Sequence, residues 1–381
     1  MFKPAPVDQS QLANALKPFG QSNMLPVGSY LDEEVLAWEK QHIFSGWVAL
    51  GRSEELSKPR QMKAYPLGPS SVLIVRGDDG VVRGFQNACR HRGHELLSCD
   101  ASTEGRAIVC PYHAWSYRLD GTLIGAPGHK GAEHFDTADY PLHTVEVVEW
   151  HGWLFANGGT DKPFAEHVDG LDEIVANYDG VDLVTAETHE YDVDANWKVI
   201  VENYQECYHC SSIHPELCKV SPPDSGDNLD PRGDWMGGDM DLRDFAATMS
   251  LDGHSDGQVI EHLDETQQHT VMYLALMPNM LLSLHPDYVM THLLTPIAPG
   301  KTRIRCSWAF PRKVVEEEGF DPSYAVDFWD ITNRQDWTAC ESVQRGMQTA
   351  GYVPGPLAPA EDGVYDFVTY VARAYAGQES D

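Results

Sequence analysis

Two short cysteine–histidine pairs constrain the front half of this chain more than any other feature. Cys89-x-His91 and Cys110-x-x-His113 are separated by eighteen residues. Two thiolates and two imidazoles suffice for a tetrahedral zinc or for a [2Fe–2S] cluster, provided the two pairs converge. The surrounding texture favours convergence. From Gly46 to Gly159 the chain runs in short β-rich stretches, such as Trp47-Val48-Ala49-Leu50, Ser71–Val75, Ala107-Ile108-Val109 and Trp153-Leu154-Phe155. Turns such as Asp78-Asp79-Gly80 and Asp120-Gly121 separate them. Strand length and turn spacing predict a small antiparallel β domain with a Cys/His pair on each of two loops.

Spacing separates the two kinds of metal. Structural zinc sites leave two to four residues between paired ligands, and one residue between Cys89 and His91 fits that poorly. In a Rieske centre one iron takes both cysteines and the other takes both histidines, so each loop supplies one of each. With Pro111 and Tyr112 inside the second pair and Trp115 after it, the segment resembles the Rieske non-haem iron oxygenases, in their catalytic α subunit. Ala114 stands where that family often has Gly. His94 and Cys99 fall outside the pattern and are expected not to be ligands.

A chain of 381 residues has two to three domains' worth of length. The expected division is a lead-in over 1–40, a Rieske domain over 41–160 and a catalytic domain over 161–381. Phe164–Tyr178 and Trp197–Cys210 are expected as helices, and Ala186–Val193 as a strand. A polar loop from Ser221 to Asp256 follows. Strands are expected at Gln268–Leu276, Met280–His285, Val289–Pro296 and Lys301–Phe310, then helices at Pro322–Met347 and Val364–Ala376. The order predicts an α+β fold with a curved antiparallel sheet in the second half.

The second half has its own constellation in Asn203-Tyr204-Gln205-Glu206-Cys207-Tyr208-His209, followed by His214-Pro215. Two imidazoles so spaced can take two corners of one iron. The third ligand of a 2-His-1-carboxylate triad should be a carboxylate, leaving positions open for oxygen. Asp327, Asp330, Asp336 and Glu341 all compete, and spacing alone does not choose. The resemblance implies Asp336, in a helix with apolar spacing at Phe328, Ile331 and Val343. It also implies that Glu206 links the two metal centres, between His209 of its own chain and His91 or His113 of a neighbour. Zinc on Cys207, Cys210 and a histidine is a weaker reading. On a helix those cysteines would face away from His209.

The implied reaction is O2 activation at Fe(II), with electrons delivered through the [2Fe–2S] cluster. The chain has no Rossmann G-x-G-x-x-G after a strand and no plant-type ferredoxin spacing. A separate flavin-containing reductase fed by NAD(P)H, and a possible ferredoxin, are therefore expected partners. A homotrimer follows from the resemblance alone. The Glu206 segment looks most like the branch that acts on glycine betaine, stachydrine and carnitine. That branch hydroxylates an N-methyl group and so releases formaldehyde. Trp235, Tyr273, Tyr288 and Trp308 are candidate faces for the cation. The alternatives are ring hydroxylation or dihydroxylation of an aromatic acid, and an electron-transfer Rieske protein with no oxygenase activity.

Charge narrows the partners. Asp plus Glu total 58 against 27 Lys plus Arg, a formal net charge of −31. Binding to nucleic-acid phosphates is a poor expectation for such a chain. The acidity could draw cations to a cleft, although a solvated surface is the plainer reading. No apolar run is long enough for a membrane span. No signal peptide is read at the start, and eight cysteines beside histidines suggest metal chemistry in a reducing, cytoplasmic setting.

Overall fold

The protein is described from a computed structural model covering residues 3–178, 180–230 and 232–378. It divides into two compact units, Lys40–Asp161 and a second made of Met1–Glu39 with Lys162–Asp381.

The Lys40–Asp161 unit is built on antiparallel pairings. Its largest sheet runs in the order Ser102–Glu104, Gln61–Leu67, Ser70–Arg76, Val82–Gln86, Thr144–Val145. The central strand Ser70–Arg76 shows why. Its alternating side chains feed two different cores, because successive residues of a strand point to opposite faces. Leu73 and Val75 pack with Phe85, Cys89, Cys110 and Trp115. Val72 and Ile74 pack with Val48, Leu50, Tyr65 and Leu154 on the other side. A smaller sheet of Ile108–Val109, Ser116–Tyr117 and Leu123–Gly125 carries the second Cys/His pair.

The other unit is organised around an antiparallel sheet in the order Leu183–Val193, Lys301–Pro311, Val289–Ala298, Met280–Leu284, Thr270–Leu276, Trp235–Asp241, Asp227–Asn228. Every residue of the central strand Met280–Leu284 is buried. Helix Trp197–Tyr204 contacts strand Val289–Ala298 and the long helices Ser323–Met347 and Asp362–Ala376. The Asn196 side chain caps its start by accepting the Lys198 N–H.

A buried charge network joins the lead-in to this unit. Lys198 Nζ and Glu39 Oε1 lie 2.5 Å apart, both fully buried. Trp197 Nε1 donates to Glu39 Oε2 at 2.9 Å, and the Tyr375 hydroxyl also donates to Glu39. Tyr30 donates to Glu202 at 2.6 Å. Burial pushes the Glu202 carboxyl up to about 8, against the opposing pull of Tyr30 and Lys198.

Three expectations are corrected. Helix Phe164–Tyr178 is two short helices, Phe164–His167 and Leu171–Ala176, because Gly170 between them has φ +78°. The expected helix Trp197–Cys210 ends at Tyr204, and a short helix Cys210–Ile213 follows a turn. In that turn the Glu206 carboxylate accepts the His209 backbone N–H at 3.1 Å. Such a bond offers the backbone an alternative to continued helix. Finally, the Ser221–Asp256 loop contributes two strands to the sheet edge. Its glycines are needed for close approach: a Cβ on Gly238 would fall 1.8 Å from the Asp227 carbonyl oxygen. No helix among the described residues is long and apolar enough to cross a membrane.

Candidate metal centres

The two front loops share one backbone design. The Cys89 N–H donates to the His94 carbonyl at 2.8 Å, and the Gly93 N–H returns to the Cys89 carbonyl at 2.9 Å. In the second loop Cys110 donates to Trp115 at 2.8 Å, and Ala114 returns to Cys110 at 3.0 Å. Each loop closes through a left-handed residue, Gly93 at φ +72° and Ala114 at φ +56°.

This repetition brings the four side chains together. Cys89 and Cys110 are buried, and their thiols interact. Burial raises the Cys89 thiol above its ordinary value, while the Tyr117 hydroxyl at 3.3 Å opposes that rise. The His91 and His113 rings sit 4.7 Å apart between centroids. Trp115 stacks on His91 at 4.9 Å and 7°. The Nδ1 of His91 is buried without a hydrogen-bond partner, as a ring nitrogen reserved for a metal would be. This donor set could hold a [2Fe–2S] cluster. His94 and Cys99 are exposed, and His94 Nδ1 is engaged by its neighbour's carbonyl.

In the second unit His209, His214 and Asp336 converge. The two Nε2 atoms are 3.2 Å apart, and Asp336 Oδ1 lies 2.9 Å from His214 Nε2 and 3.4 Å from His209 Nε2. The far nitrogens are spoken for. His209 Nδ1 meets Glu206 Oε1 at 2.5 Å, and His214 Nδ1 meets Gln335 Oε1 at 2.7 Å. Fixing one ring nitrogen orients the other, a recurring arrangement around metal-binding histidines. His214 ends the helix Cys210–Ile213, since Pro215 disfavours helical geometry in the residue before it. Burial disfavours a charged His209, yet Asp336 and Glu206 outweigh it and hold the ring's pKa at about 9. The centre therefore favours positive charge, and its two imidazoles and one carboxylate could hold iron.

The rival acids lie elsewhere. Asp330 pairs with Arg334 and accepts the Tyr191 hydroxyl; Glu341 accepts the Asp194 N–H; Asp327 is exposed. Along helix Ser323–Met347 the expected apolar stripe is only partly right. Phe328 is buried, but Ile331 and Val343 are exposed, and Trp329, Thr332, Asn333 and Trp337 form the inner face. Cys207 and Cys210 form a disulfide, so neither is a thiolate ligand. That removes the zinc reading at these positions, even though Cys210 lies close to both imidazoles.

A cavity of about 520 Å³ reaches this centre, lined among others by His209, His214, Asp336, Tyr204, Tyr273 and Trp329. Of the four candidate aromatic faces only Tyr273 lines it. Trp235, Tyr288 and Trp308 are buried in the packing, with Trp235 donating to Asp169 and Tyr288 to Met249. Sequence reasoning missed Tyr204 and Trp329. The spacing Trp329–Asp336, two turns on one helix face, could have found the latter.

Comparison with known proteins agrees with both halves. A Rieske [2Fe-2S] domain model matches residues 46–141, and a ring hydroxylating alpha subunit (catalytic domain) model matches residues 181–377. The glycine betaine monooxygenase oxygenase subunit of Chromohalobacter salexigens is 30% identical, over 94% of this chain and 87% of that protein. The carnitine monooxygenase oxygenase subunit of Acinetobacter baumannii is 38% identical over 190 residues, 49% of this chain and 51% of that one. A solved quaternary ammonium Rieske monooxygenase, reported to bear on carnitine oxidation and inter-subunit electron transfer, superposes with a TM-score of 0.81. It is 25% identical, covering 98% of this chain and 100% of that one. The reading as a bare Rieske electron carrier is set aside by the catalytic match. Two metal-binding constellations on two matched domains lead to one conclusion: the chain belongs to the Rieske non-haem iron oxygenases, as a catalytic α subunit.

Proposed function

We propose that this enzyme oxidatively demethylates a quaternary ammonium compound. Cys89, His91, Cys110 and His113 would hold the [2Fe–2S] cluster, and His209, His214 and Asp336 the mononuclear Fe(II). When bound, these groups supply one-electron storage and O2 activation respectively. The observation that carries the reading is the convergence of His209, His214 and Asp336, with both outer ring nitrogens already engaged.

The residues around the centre have separate tasks. Glu206 and Gln335 hold the imidazole tautomers, so that each Nε2 faces inward. Tyr204, Tyr273 and Trp329 offer aromatic faces that attract an ammonium group. Substrate, O2, two electrons and two protons yield water, formaldehyde and the protonated demethylated amine.

The remaining assignments rest on the resemblance. Glu206, bound to His209, would also reach a cluster histidine of a neighbouring chain in a head-to-tail homotrimer. Relatives named as oxygenase subunits support a separate reductase. We take it to be flavin-containing and fed by NAD(P)H, with or without a ferredoxin, and therefore place the enzyme in the cytoplasm. The test is turnover with NADH, a surrogate reductase and a panel of methylammonium compounds and aromatic acids. Formaldehyde in step with NADH consumption supports the reading; ring-hydroxylated product without formaldehyde overturns it.

A further inference from the structure

The metal centre leaves one feature of its own segment unused. Cys207 and Cys210 are joined by a disulfide that brackets His209. The turn between them is closed by the Cys210 N–H, which donates to the Cys207 carbonyl at 3.1 Å. Both cysteines line the cavity that reaches the centre. Cys210 is the inner of the two, 4% exposed, and Cys207 is half-buried.

Stability is a weak reason for such a bond. It spans a sequence separation of 3, and a crosslink over so short a loop restrains the unfolded chain least. In the reducing compartment proposed for this enzyme, disulfides are mostly transient and serve catalysis or redox sensing. A second observation points independently to a metal. The ligand atoms of His209, Cys210 and His214 all lie within 4.8 Å of one another. While the disulfide is closed, Cys210 offers no thiolate, and the centre has two imidazoles and the Asp336 carboxylate, a donor set that suits Fe(II). Opening the bond adds a thiolate beside the same two imidazoles. Cysteine and histidine donors together make tetrahedral zinc sites, and thiolate is the soft ligand that favours zinc.

We propose that Cys207 and Cys210 form a redox-gated metal-selectivity site. Closed, the pair keeps the centre for iron; opened by a dithiol reductant, it turns His209, His214 and Cys210 into a zinc site. A thiolate of the reductant attacks the more accessible Cys207 sulfur, forming a mixed disulfide and expelling Cys210 as a thiolate. The reductant's second thiol then attacks the reductant sulfur of that mixed disulfide, which closes the reductant's own disulfide and releases Cys207. Two electrons pass from the dithiol to the cysteine pair, and the dithiol's two protons end on Cys207 and Cys210. Zinc then displaces the Cys210 proton to solvent. The site rests on the reading of His209 and His214 as metal ligands and is independent of the substrate.

The experiment is metal exchange on the iron-loaded holoenzyme, purified in air, before and after treatment with dithiothreitol that is then removed anaerobically. Free thiols are counted first, and treatment should expose two more. Free zinc is then set with a chelator series. Mononuclear iron and bound zinc are measured per chain, with the cluster's visible absorbance as internal control. Treated wild type should exchange iron for zinc at a free zinc concentration at least about tenfold lower than untreated protein, because a thiolate has joined the donor set. Cys207→Ser leaves Cys210 a thiol throughout and should exchange at the lower concentration with or without treatment. Cys210→Ser should exchange at the higher concentration in both cases. An unchanged thiol count, equal exchange points for treated and untreated wild type, or a Cys210→Ser variant that responds as the wild type does overturns the proposal while the iron centre stands. A centre that holds neither iron nor zinc in either state overturns both.

Discussion

His214 and Asp336 are 122 residues apart in sequence, yet their Nε2 and Oδ1 atoms lie 2.9 Å apart. The neighbour of Asp336 on the same helix, Gln335, engages the opposite nitrogen of His214 at 2.7 Å. Two consecutive residues of one helix thus touch both ends of one imidazole. Gln335 is in turn tied to Glu216, 3.3 Å away.

Gln335 should therefore be a positioning residue for the metal. Gln335→Leu is expected to lower iron affinity by about 10–100-fold, the usual cost of losing a partner behind a ligand. Gln335→Glu keeps an acceptor and should largely rescue it. Iron retained against a graded chelator, with the cluster's visible absorbance as internal control, checks this. Unchanged retention in Gln335→Leu would refute the role.

Ala114 closes its loop at φ +56°, where its counterpart Gly93 has no Cβ to strain. Ala114→Gly should be neutral or stabilising by about 1 kcal/mol, since relief of left-handed strain offsets the extra freedom of the unfolded chain. Ala114→Val should destabilise the loop and shed cluster absorbance at a lower temperature. Thermal bleaching of the cluster measures both. A variant with Gly that bleaches markedly earlier contradicts this account.

Glu202 imposes a pH dependence with a definite sign. Its pKa is raised from 4.5 in the unfolded chain to about 8 when buried beside Tyr30. The folded state therefore holds a proton that the unfolded state releases between those values. Its contribution to stability is complete below about pH 4.5 and is lost as pH rises to about 8. Glu202→Gln should gain stability relative to the wild type as pH rises from acidic to mildly alkaline. Melting temperatures of both proteins across that window decide it; parallel profiles would show that Glu202 does not titrate there.

Among the described residues, Lys198 is the one charged partner of the buried Glu39 carboxylate, beside the neutral donors Trp197 and Tyr375. Lys198→Met would strand that charge and should cost about 3–5 kcal/mol, as when one partner of a buried ion pair is removed. Denaturant unfolding measures it. A double variant with Glu39→Gln should recover much of the loss.

The sequence carried the metal sites unevenly. His209 and His214 were legible because the second lies five positions after the first and Pro215 marks the end of the helix between them. Asp336 was not legible from spacing, since Asp327, Asp330 and Glu341 share its helix; the family resemblance pointed to it, and its contacts with both imidazoles set it apart from the other three. The strands of the second sheet were readable from their apolar runs. Trp235–Asp241 was not, because Gly237 and Gly238 look like turn residues when they serve backbones in close approach. Helix Trp197–Cys210 was read too long, since Glu206 and the Cys207–Cys210 disulfide redirect the chain through contacts that periodicity does not encode. Aromatic residues misled for a related reason: residue type alone does not tell Trp308, buried in a strand, from Trp329, on the cavity wall.

Metal analysis of the wild type beside His214→Ala tests the central claim most directly. The wild type should hold three irons and two acid-labile sulfides per chain, with a Rieske-type EPR signal after reduction. His214→Ala should keep two irons, both sulfides and that signal, while losing all substrate oxidation. Two irons per chain in fully active wild type, or loss of the cluster signal in His214→Ala with its mononuclear iron retained, would contradict two centres divided between these residues.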